Sequence, residues 1–258
     1  MSDIEHKYDG EIISLSDDQI FYTIEGEGQY VGQPSIFVRT SGCNLTCKGF
    51  ISPDAPFGCD SYISWSKHNR RTFKEVWNEF FVEKDYVKYL RQGAILKFTG
   101  GEPLIHQEMF IKFLEYIEYK SMWSYIHVDF ETNATIRPSA DWSKFRSKVT
   151  FTTSPKLASN GDPLAKRYVS NTLEFHADNT FLSTFKFVVQ NREDVDEIIR
   201  DYSEKFRISR DRIWLMPCCG SRKEQDEKAA QVVEWCKEFG FNYSPRLHLQ
   251  VWDQALKV

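Results

Sequence analysis

Short runs of β-branched and aromatic residues recur as SIFVRT (35–40), AILKFTG (94–100), YIHVDFET (125–132), KVTFTTS (148–154), TFKFVVQ (184–190) and RIWLMP (212–217), and they predict six strands. Between several of them the apolar period lengthens to that of a helix. Over 72–91, Phe73, Val76, Trp77, Phe80 and Phe81 repeat at three and four, and Thr72 with Glu75 forms a capping-box signature. Helices are also expected over 107–119, with Phe110, Phe113, Leu114 and Ile117 on one face, over 192–206 after Asn191, and over 223–239, where Gly240 is placed to end the run. Strand alternating with helix predicts an α/β fold of mostly parallel strands with right-handed crossovers, as an open sheet or a full or partial (β/α) barrel. No internal repeat, low-complexity tract or Pro/Ser-rich linker divides the chain, so residues 1–258 are expected to form one domain.

In such folds ligands gather at the carboxyl ends of the strands. The segments SGC, TGGEP, ETNAT, TSPK and MPCC all follow predicted strands and so point at one face. Composition narrows the reading further. The 258 residues, 41% hydrophobic and 27% charged, suffice for one sizeable core. A formal net charge of -4 gives no reason to expect nucleic acid or an anionic membrane as the main partner. No stretch approaches the roughly 18 uninterrupted apolar residues of a membrane span, and the acidic, polar start MSDIEHKYDG fits a cytoplasmic location. Six cysteines are too few for a disulfide scaffold, and clustered cysteines in a cytosolic chain point to metal or redox chemistry.

Half of those cysteines, Cys43, Cys47 and Cys59, lie in GCNLTCKGFISPDAPFGCDSYISW (42–65). A structural zinc site takes four nitrogen or sulfur ligands, commonly as C-x-x-C knuckles, and the chain has no C-x-x-C. A four-iron cluster held by three cysteines leaves one iron open to a small chelating molecule. Unrelated loop cysteines are the bland alternative, and His68 reads as polar surface. Thr99-Gly100-Gly101-Glu102-Pro103 leaves a strand end with two residues lacking Cβ, where a ligand can approach the backbone, beside a carboxylate able to accept from an ammonium. Alone, the same segment also reads as a tight turn.

Together, C-x-x-x-C and the downstream GGEP resemble the radical S-adenosylmethionine superfamily. The opening Phe21-Tyr22-Thr23-Ile24-Glu25-Gly26-Glu27-Gly28, then Gly32, Pro34, Phe37-Val38-Arg39 and Gly42-Cys43-Asn44-Leu45, resembles the 7-carboxy-7-deazaguanine synthase family. Glu131-Thr132-Asn133, Ser154-Pro155-Lys156, Lys186-Phe187-Val188-Val189, Pro217 and Leu247-His248 follow in that family's order, so the resemblance covers most of the chain. It implies a partial (β/α) barrel, a 4Fe-4S cluster, S-adenosyl-L-methionine and Mg2+. It also implies radical-mediated ring contraction of 6-carboxy-5,6,7,8-tetrahydropterin to 7-carboxy-7-deazaguanine with loss of ammonia, in 7-deazapurine (queuosine-type) biosynthesis. A flavodoxin- or ferredoxin-type reductant and a homodimer belong to the same expectation.

Residue by residue, the resemblance implies that Cys43, Cys47 and Cys59 hold the cluster and that the Ser61 hydroxyl in Cys59-Asp60-Ser61 meets magnesium. Gly101 with Glu102 would meet the methionine ammonium, and Ser154, Pro155 and Lys156 would line the cofactor. Met216, Pro217, Cys218 and Cys219 read either as more of that lining or as a buried strand end with two small apolar thiols. Ile24, Glu25 and Gly26 would face the pterin edge, Thr99 would add a hydrogen bond, and Arg39 would pair with the substrate carboxylate, which a planar guanidinium suits. The family leaves two residues between its second and third cysteines. Here that third place is Phe50, so a cluster-loop insertion at about 48–58 is expected, with Cys218, Cys219 or Cys236 as other candidates for third ligand. Ser61 stands for threonine, Glu25 for glutamine, Ala134 for glycine, and Arg246 and Leu249 for a glutamine and a lysine beside the family histidine. A glycyl-radical activase would share the cysteines and GGEP without needing Glu25-Gly26-Glu27-Gly28 or Arg39. A zinc-binding nucleic-acid module would need a fourth ligand and a basic face.

Overall fold

The computed structural model describes residues 6–49, 58–178 and 181–255. Among them nine strands form one sheet: β1 (Ile12–Ile24), β2 (Pro34–Thr40), β3 (Asn69–Thr72), β4 (Ile95–Gly100), β5 (His127–Thr132), β6 (Val149–Thr153), β7 (Thr184–Val189), β8 (Ile213–Pro217) and β9 (Asn242–Tyr243). Their order is β3-β1-β2-β4-β5-β6-β7-β8-β9. All six predicted strands are present and pair in parallel, in an α/β arrangement. Three strands were not expected. β1 and β3 run antiparallel at one edge, and the polar stretch SLSDDQ, where the β1 register slips between Leu15 and Ile20, hides β1 from a pattern search. β9 is only two residues long.

Helices 107–119 and 223–239 are found as Gln107–Tyr119 and Arg222–Phe239. The single helix expected over 72–91 is instead Phe73–Val76 behind the capping box, a π-helical turn at Trp77–Glu83, and Tyr86–Arg91. Asp85, left-handed at φ 54°, separates the last two. That over 192–206 likewise passes from α (Arg192–Glu197) to π (Ile198–Glu204). A wide turn shifts the face by one residue, and a three-and-four period does not register it. No helix among the described residues is long and apolar enough to cross a membrane.

Strand alternation sorts the sheet into two unlike faces. Ile36, Val38, Leu96, Phe98, Val128, Phe130 and Phe151 take one face and pack beneath Phe110, Phe113, Leu114 and Ile117 of Gln107–Tyr119. Phe98 meets Phe110 at 4.6 Å and Phe130 at 4.8 Å between ring centroids. Phe185, Phe187, Ile213 and Leu215 continue the layer toward Val195, Ile198 and Val232. The intervening positions point the other way and are polar: Arg39, Lys97, Thr99, Asp129, Glu131, Thr150, Thr152 and Lys186.

That second face is closed over rather than left to water. In a flat sheet the seven steps from β1 to β9 would span roughly 34 Å at about 4.8 Å each. Yet Gly28 N–H donates to Ser244 Oγ at 2.7 Å and Leu247 N–H to the Gly26 carbonyl at 2.9 Å. The sheet therefore curls into an arc, and the β1–β2 hairpin bridges its mouth to the segment after β9. This is the partial-barrel form of the expected fold, and its inner face is a polar lumen.

Lys97, 1% exposed, sits in that lumen between Asp129 (2.8 Å) and Glu25 of the hairpin (2.9 Å). Burial pulls against its charge, but Asp129 and Glu25 hold the ammonium well above its ordinary pKa. Removing one member of a buried charge group strands the others. Lys97→Met is expected to lower the unfolding free energy by about 3–5 kcal/mol, read from urea titration at neutral pH. A loss below about 1 kcal/mol, typical of an exposed pair, would contradict the lumen pairing.

Candidate active site

The cysteine loop leaves β2 at Thr40, and the described residues bring its two ends together. Gly49 lies against Gly58 and Cys59: a Cβ on Gly49 would stand 3.0 Å from the Gly58 carbonyl and 3.1 Å from Cys59 Cα. Most of the expected insertion, residues 50–57, lies outside the described residues. Its ends nevertheless meet, so omitting 50–58 would join Gly49 to Cys59 and leave two residues between Cys47 and the next cysteine. Of the other candidates for third ligand, Cys236 lies in Arg222–Phe239 with its thiol on the Asn242 carbonyl, and Cys219 turns to Gln225. Cys218 alone approaches the loop, its thiol donating to the Gly49 carbonyl at 3.7 Å.

Burial pushes the Cys43 thiol up to about 12 and raises the Cys47 and Cys59 thiols as well. The Lys156 ammonium acts on all three in the opposite sense. The three thiols therefore hold protons until a metal displaces them. Among the described residues no three His, Cys, Asp or Glu side chains converge on a single-ion point. A cubane makes no such demand, since each thiolate binds a different iron. Three half-buried thiols in the field of one ammonium are a donor set that fits the cluster.

The GGEP segment packs against this loop. A Cβ on Gly101 would lie 1.9 Å from the Gly42 carbonyl and 2.9 Å from Cys43 Cβ. The close approach that glycine permits here is thus to the chain's own cysteine loop. Glu102, expected to accept from a ligand ammonium, turns inward instead. Fully buried, it accepts from Leu104 N–H (3.0 Å), Thr132 Oγ1 (2.8 Å) and Asn133 N–H (2.7 Å), tying the end of β4 to the end of β5. Asn133 in turn donates to Asn44 Oδ1 at 2.9 Å, which carries the tie into the cysteine loop.

Ser154 and Pro155 are buried at the end of β6, where Lys156 Nζ donates to Ser154 Oγ at 3.0 Å. Met216, Pro217 and Cys219 are buried at and beyond the end of β8. Thr99 lies beside Arg39 in register and donates to Glu131 at 3.4 Å. The Arg39 guanidinium gives Nη1 to Ser64 Oγ at 3.0 Å, while its buried Nε has no partner. Burial lowers its pKa, and Asp60, Glu131, Glu27 and Glu25 oppose that shift. Ile24 ends β1, with Glu25 and Gly26 buried just after it. Ser61 Oγ donates to the neighbouring Asp60 carboxylate at 3.2 Å.

Several residues of this site were not singled out from the sequence. Lys186 Nζ bridges Glu27 (2.5 Å) and Glu131 across the lumen, and Arg246 joins Glu27 (2.9 Å) to Asp60 (2.8 Å). His248 lies with its ring against Gly26. Only the quoted motifs containing Glu27, Glu131, Lys186 and His248 signalled any of them.

Burial pushes the Glu102 carboxyl up to about 7 from 4.5, with the hydrogen bonds from Asn133, Leu104 and Thr132 holding it back. A carboxyl that binds its proton more tightly when folded contributes stability that is complete below its unfolded pKa of 4.5 and fades as pH rises through about 7. Glu102→Gln is expected to remove that part of the pH slope of urea-unfolding free energy. Superimposable slopes for both proteins would show that the carboxyl does not titrate in this window.

Residues 24–145 match the family described as 4Fe-4S single cluster domain. The 7-carboxy-7-deazaguanine synthase of Halobacterium salinarum is 32% identical, over 94% of this chain and 92% of its own. Those of Pyrobaculum aerophilum (30%; 92% of this chain, 94% of the relative) and Hyperthermus butylicus (32%; 90% and 91%) are similarly related. In fold, the chain resembles the crystal structure of QueE from Escherichia coli, with TM-score 0.60 and 21% identity over 93% of this chain and 97% of that one. It also resembles anSMEcpe with bound AdoMet, with TM-score 0.51 and 18% identity over 80% and 62%. With relatives at 30–32% identity matching nine-tenths or more of both chains, the chain belongs to the 7-carboxy-7-deazaguanine synthase family.

Proposed function

We propose that this chain converts 6-carboxy-5,6,7,8-tetrahydropterin to 7-carboxy-7-deazaguanine and ammonia as a radical S-adenosylmethionine enzyme. The observation that carries the reading is its full-length kinship with synthases of that name. The proposed unit is one domain, 1–258, interrupted by the cluster-loop insertion. Cys43, Cys47 and Cys59 hold the 4Fe-4S cluster. The meeting of Gly49 with Cys59 supports Cys59 as third ligand. Once bound, the reduced cluster and S-adenosylmethionine supply the radical that initiates the chemistry.

The chain's own residues hold the substrate and exclude water. The β1–β2 hairpin offers Glu25 and Gly26 to the donor edge of the pterin, with Lys97 fixing the Glu25 carboxylate from behind. Arg39 is pre-ordered by Ser64 and keeps an unpartnered buried Nε, which supports a carboxylate acceptor beside it. A desolvated carboxylate needs such a partner, since burying the charge alone costs several kcal/mol. Ser154, Lys156 and Gly101 are proposed to border S-adenosylmethionine, and Ser61 to supply a hydroxyl to Mg2+, a hard cation that prefers oxygen. A flavodoxin- or ferredoxin-type reductant, a homodimer and a cytoplasmic role in 7-deazapurine biosynthesis complete the reading on the strength of the family resemblance.

The test is anaerobic turnover after reconstitution with iron and sulfide. Wild type is expected to release 7-carboxy-7-deazaguanine and ammonia in equal amounts. Arg39→Ala is expected to keep the cluster chromophore and lose roughly 2–5 kcal/mol of substrate binding, with Arg39→Lys recovering part because an ammonium lacks the planar fork. Wild-type substrate binding in Arg39→Ala would remove the carboxylate anchor. No product from a fully reconstituted wild type would move the chain to another radical chemistry.

A further inference from the structure

The spacing of the three cysteines leaves one of them poorly fixed by the chain itself. Cys43 and Cys47 follow β2 closely and are three residues apart, whereas eleven residues separate Cys47 from Cys59. Closure becomes less favourable as about the three-halves power of loop length, so a gap of eleven residues closes roughly tenfold less readily than one of two. Cys59 must therefore be held by something other than its neighbours in sequence. Farther along, the Trp65 carbonyl accepts from Gly42 N–H at 2.8 Å and Ser64 Oγ from Arg39 Nη1 at 3.0 Å, which ties the segment after Cys59 back to β2 and its exit. Neither contact reaches the residue beside the sulfur.

Arg246 does, from 186 residues away in sequence. Its Nη2 donates to Asp60 Oδ2 at 2.8 Å, and Asp60 directly follows Cys59. The guanidinium does not depend on Asp60 for its own placement. Nε donates to Glu27 Oε1 at 2.9 Å, Nη1 to the Cys219 carbonyl at 2.5 Å, and the Arg246 main-chain N–H to the buried Gln225 Oε1 at 2.7 Å. Arg246 is 8% exposed, so water competes little for these bonds, and its planar fork presents Nη2 in a fixed direction. Asp60 thus meets a cation that is already ordered by the hairpin and by the segment after β8.

We infer that Arg246 is the positioning residue for Cys59: by holding Asp60 it keeps the third thiol with Cys43 and Cys47, and so replaces the constraint that the eleven-residue gap removes. The inference rests on Cys59 being the third cluster ligand. Retention of the cluster then depends on a side chain beyond β9 as well as on the cysteine loop. The dependence belongs to the long gap. A Cβ on Gly49 would stand 3.1 Å from Cys59 Cα, and successive Cα atoms are about 3.8 Å apart, so Gly49 and Cys59 are close enough to be joined directly. Joined in that way, Cys59 would be held by the chain and would no longer need Arg246.

The experiment is the loss of iron from the anaerobically reconstituted full-length protein to excess EDTA, followed by the decay of the cluster's visible absorbance. Arg246→Gln and Asp60→Ala are each expected to lose the cluster roughly tenfold faster than wild type. Omitting residues 50–58 from either variant, which joins Gly49 to Cys59, is expected to restore the wild-type rate. Glu27→Gln removes the other carboxylate from the same guanidinium but leaves Asp60 in place, and is expected to lose iron as slowly as wild type even where it lowers overall stability. Wild-type rates in Arg246→Gln and Asp60→Ala, an equal acceleration in Glu27→Gln, or rapid loss that persists without 50–58 would overturn the inference. A wild type that assembles no cluster, or a Cys59→Ala protein that retains it, would instead overturn the ligand assignment beneath it.

Discussion

Charge buried inside the curled sheet must find a partner there, and most of this architecture follows from that constraint. Lys97 and Lys186 project from β4 and β7 into the lumen, where an unpaired ammonium would cost several kcal/mol. Asp129 and Glu131 supply part of the compensation from β5. The remainder comes from outside the parallel strands, as Glu25 and Glu27 of the β1–β2 hairpin. A hairpin that must deliver two carboxylates into the lumen cannot remain at the sheet edge. It crosses the mouth, meets the segment after β9, and turns an open sheet into a partial barrel.

The same crossing builds the site. Arg246 joins Glu27 on the hairpin to Asp60 beside the third cysteine of the loop, so the hairpin and the cysteine loop are tied through one guanidinium. Glu102 joins the ends of β4 and β5, Asn133 passes that tie to Asn44, and Asp162 grips Thr46 from beyond β6. The ends of β4 and β5 and the segments after β6 and β9 thus hold the cysteine loop at different points. Fixed donors and acceptors of this kind set a reacting geometry before substrate arrives.

The apolar half of this structure was legible in the sequence because it is periodic. Phe98 and Phe130 announce their strands, and Phe110, Phe113, Leu114 and Ile117 their helix, through spacing alone. The lumen residues occupy the alternate positions of the same strands, yet their pairing was not legible. Arg246 meets Glu27 across 219 residues, and nothing local to either predicts the other. Glu102 shows the limit of motif reading: the sequence places a carboxylate beside a glycine pair but not the direction in which it turns. With Phe50 at the place where the resemblance expects a third cysteine, an insertion was expected only on the strength of Cys59-Asp60-Ser61. The contact of Gly49 with Gly58 and Cys59 gives that reading its physical sense.

The most direct test of the lumen pairing is a double-mutant cycle between Glu27→Gln and Lys186→Met, read as urea-unfolding free energies at neutral pH. If the hairpin is held in the lumen by this pair, the two losses are expected to be non-additive, with a coupling of about 1.5–3 kcal/mol. Losses that add to within about 0.5 kcal/mol, as for sites that do not touch, would contradict the account.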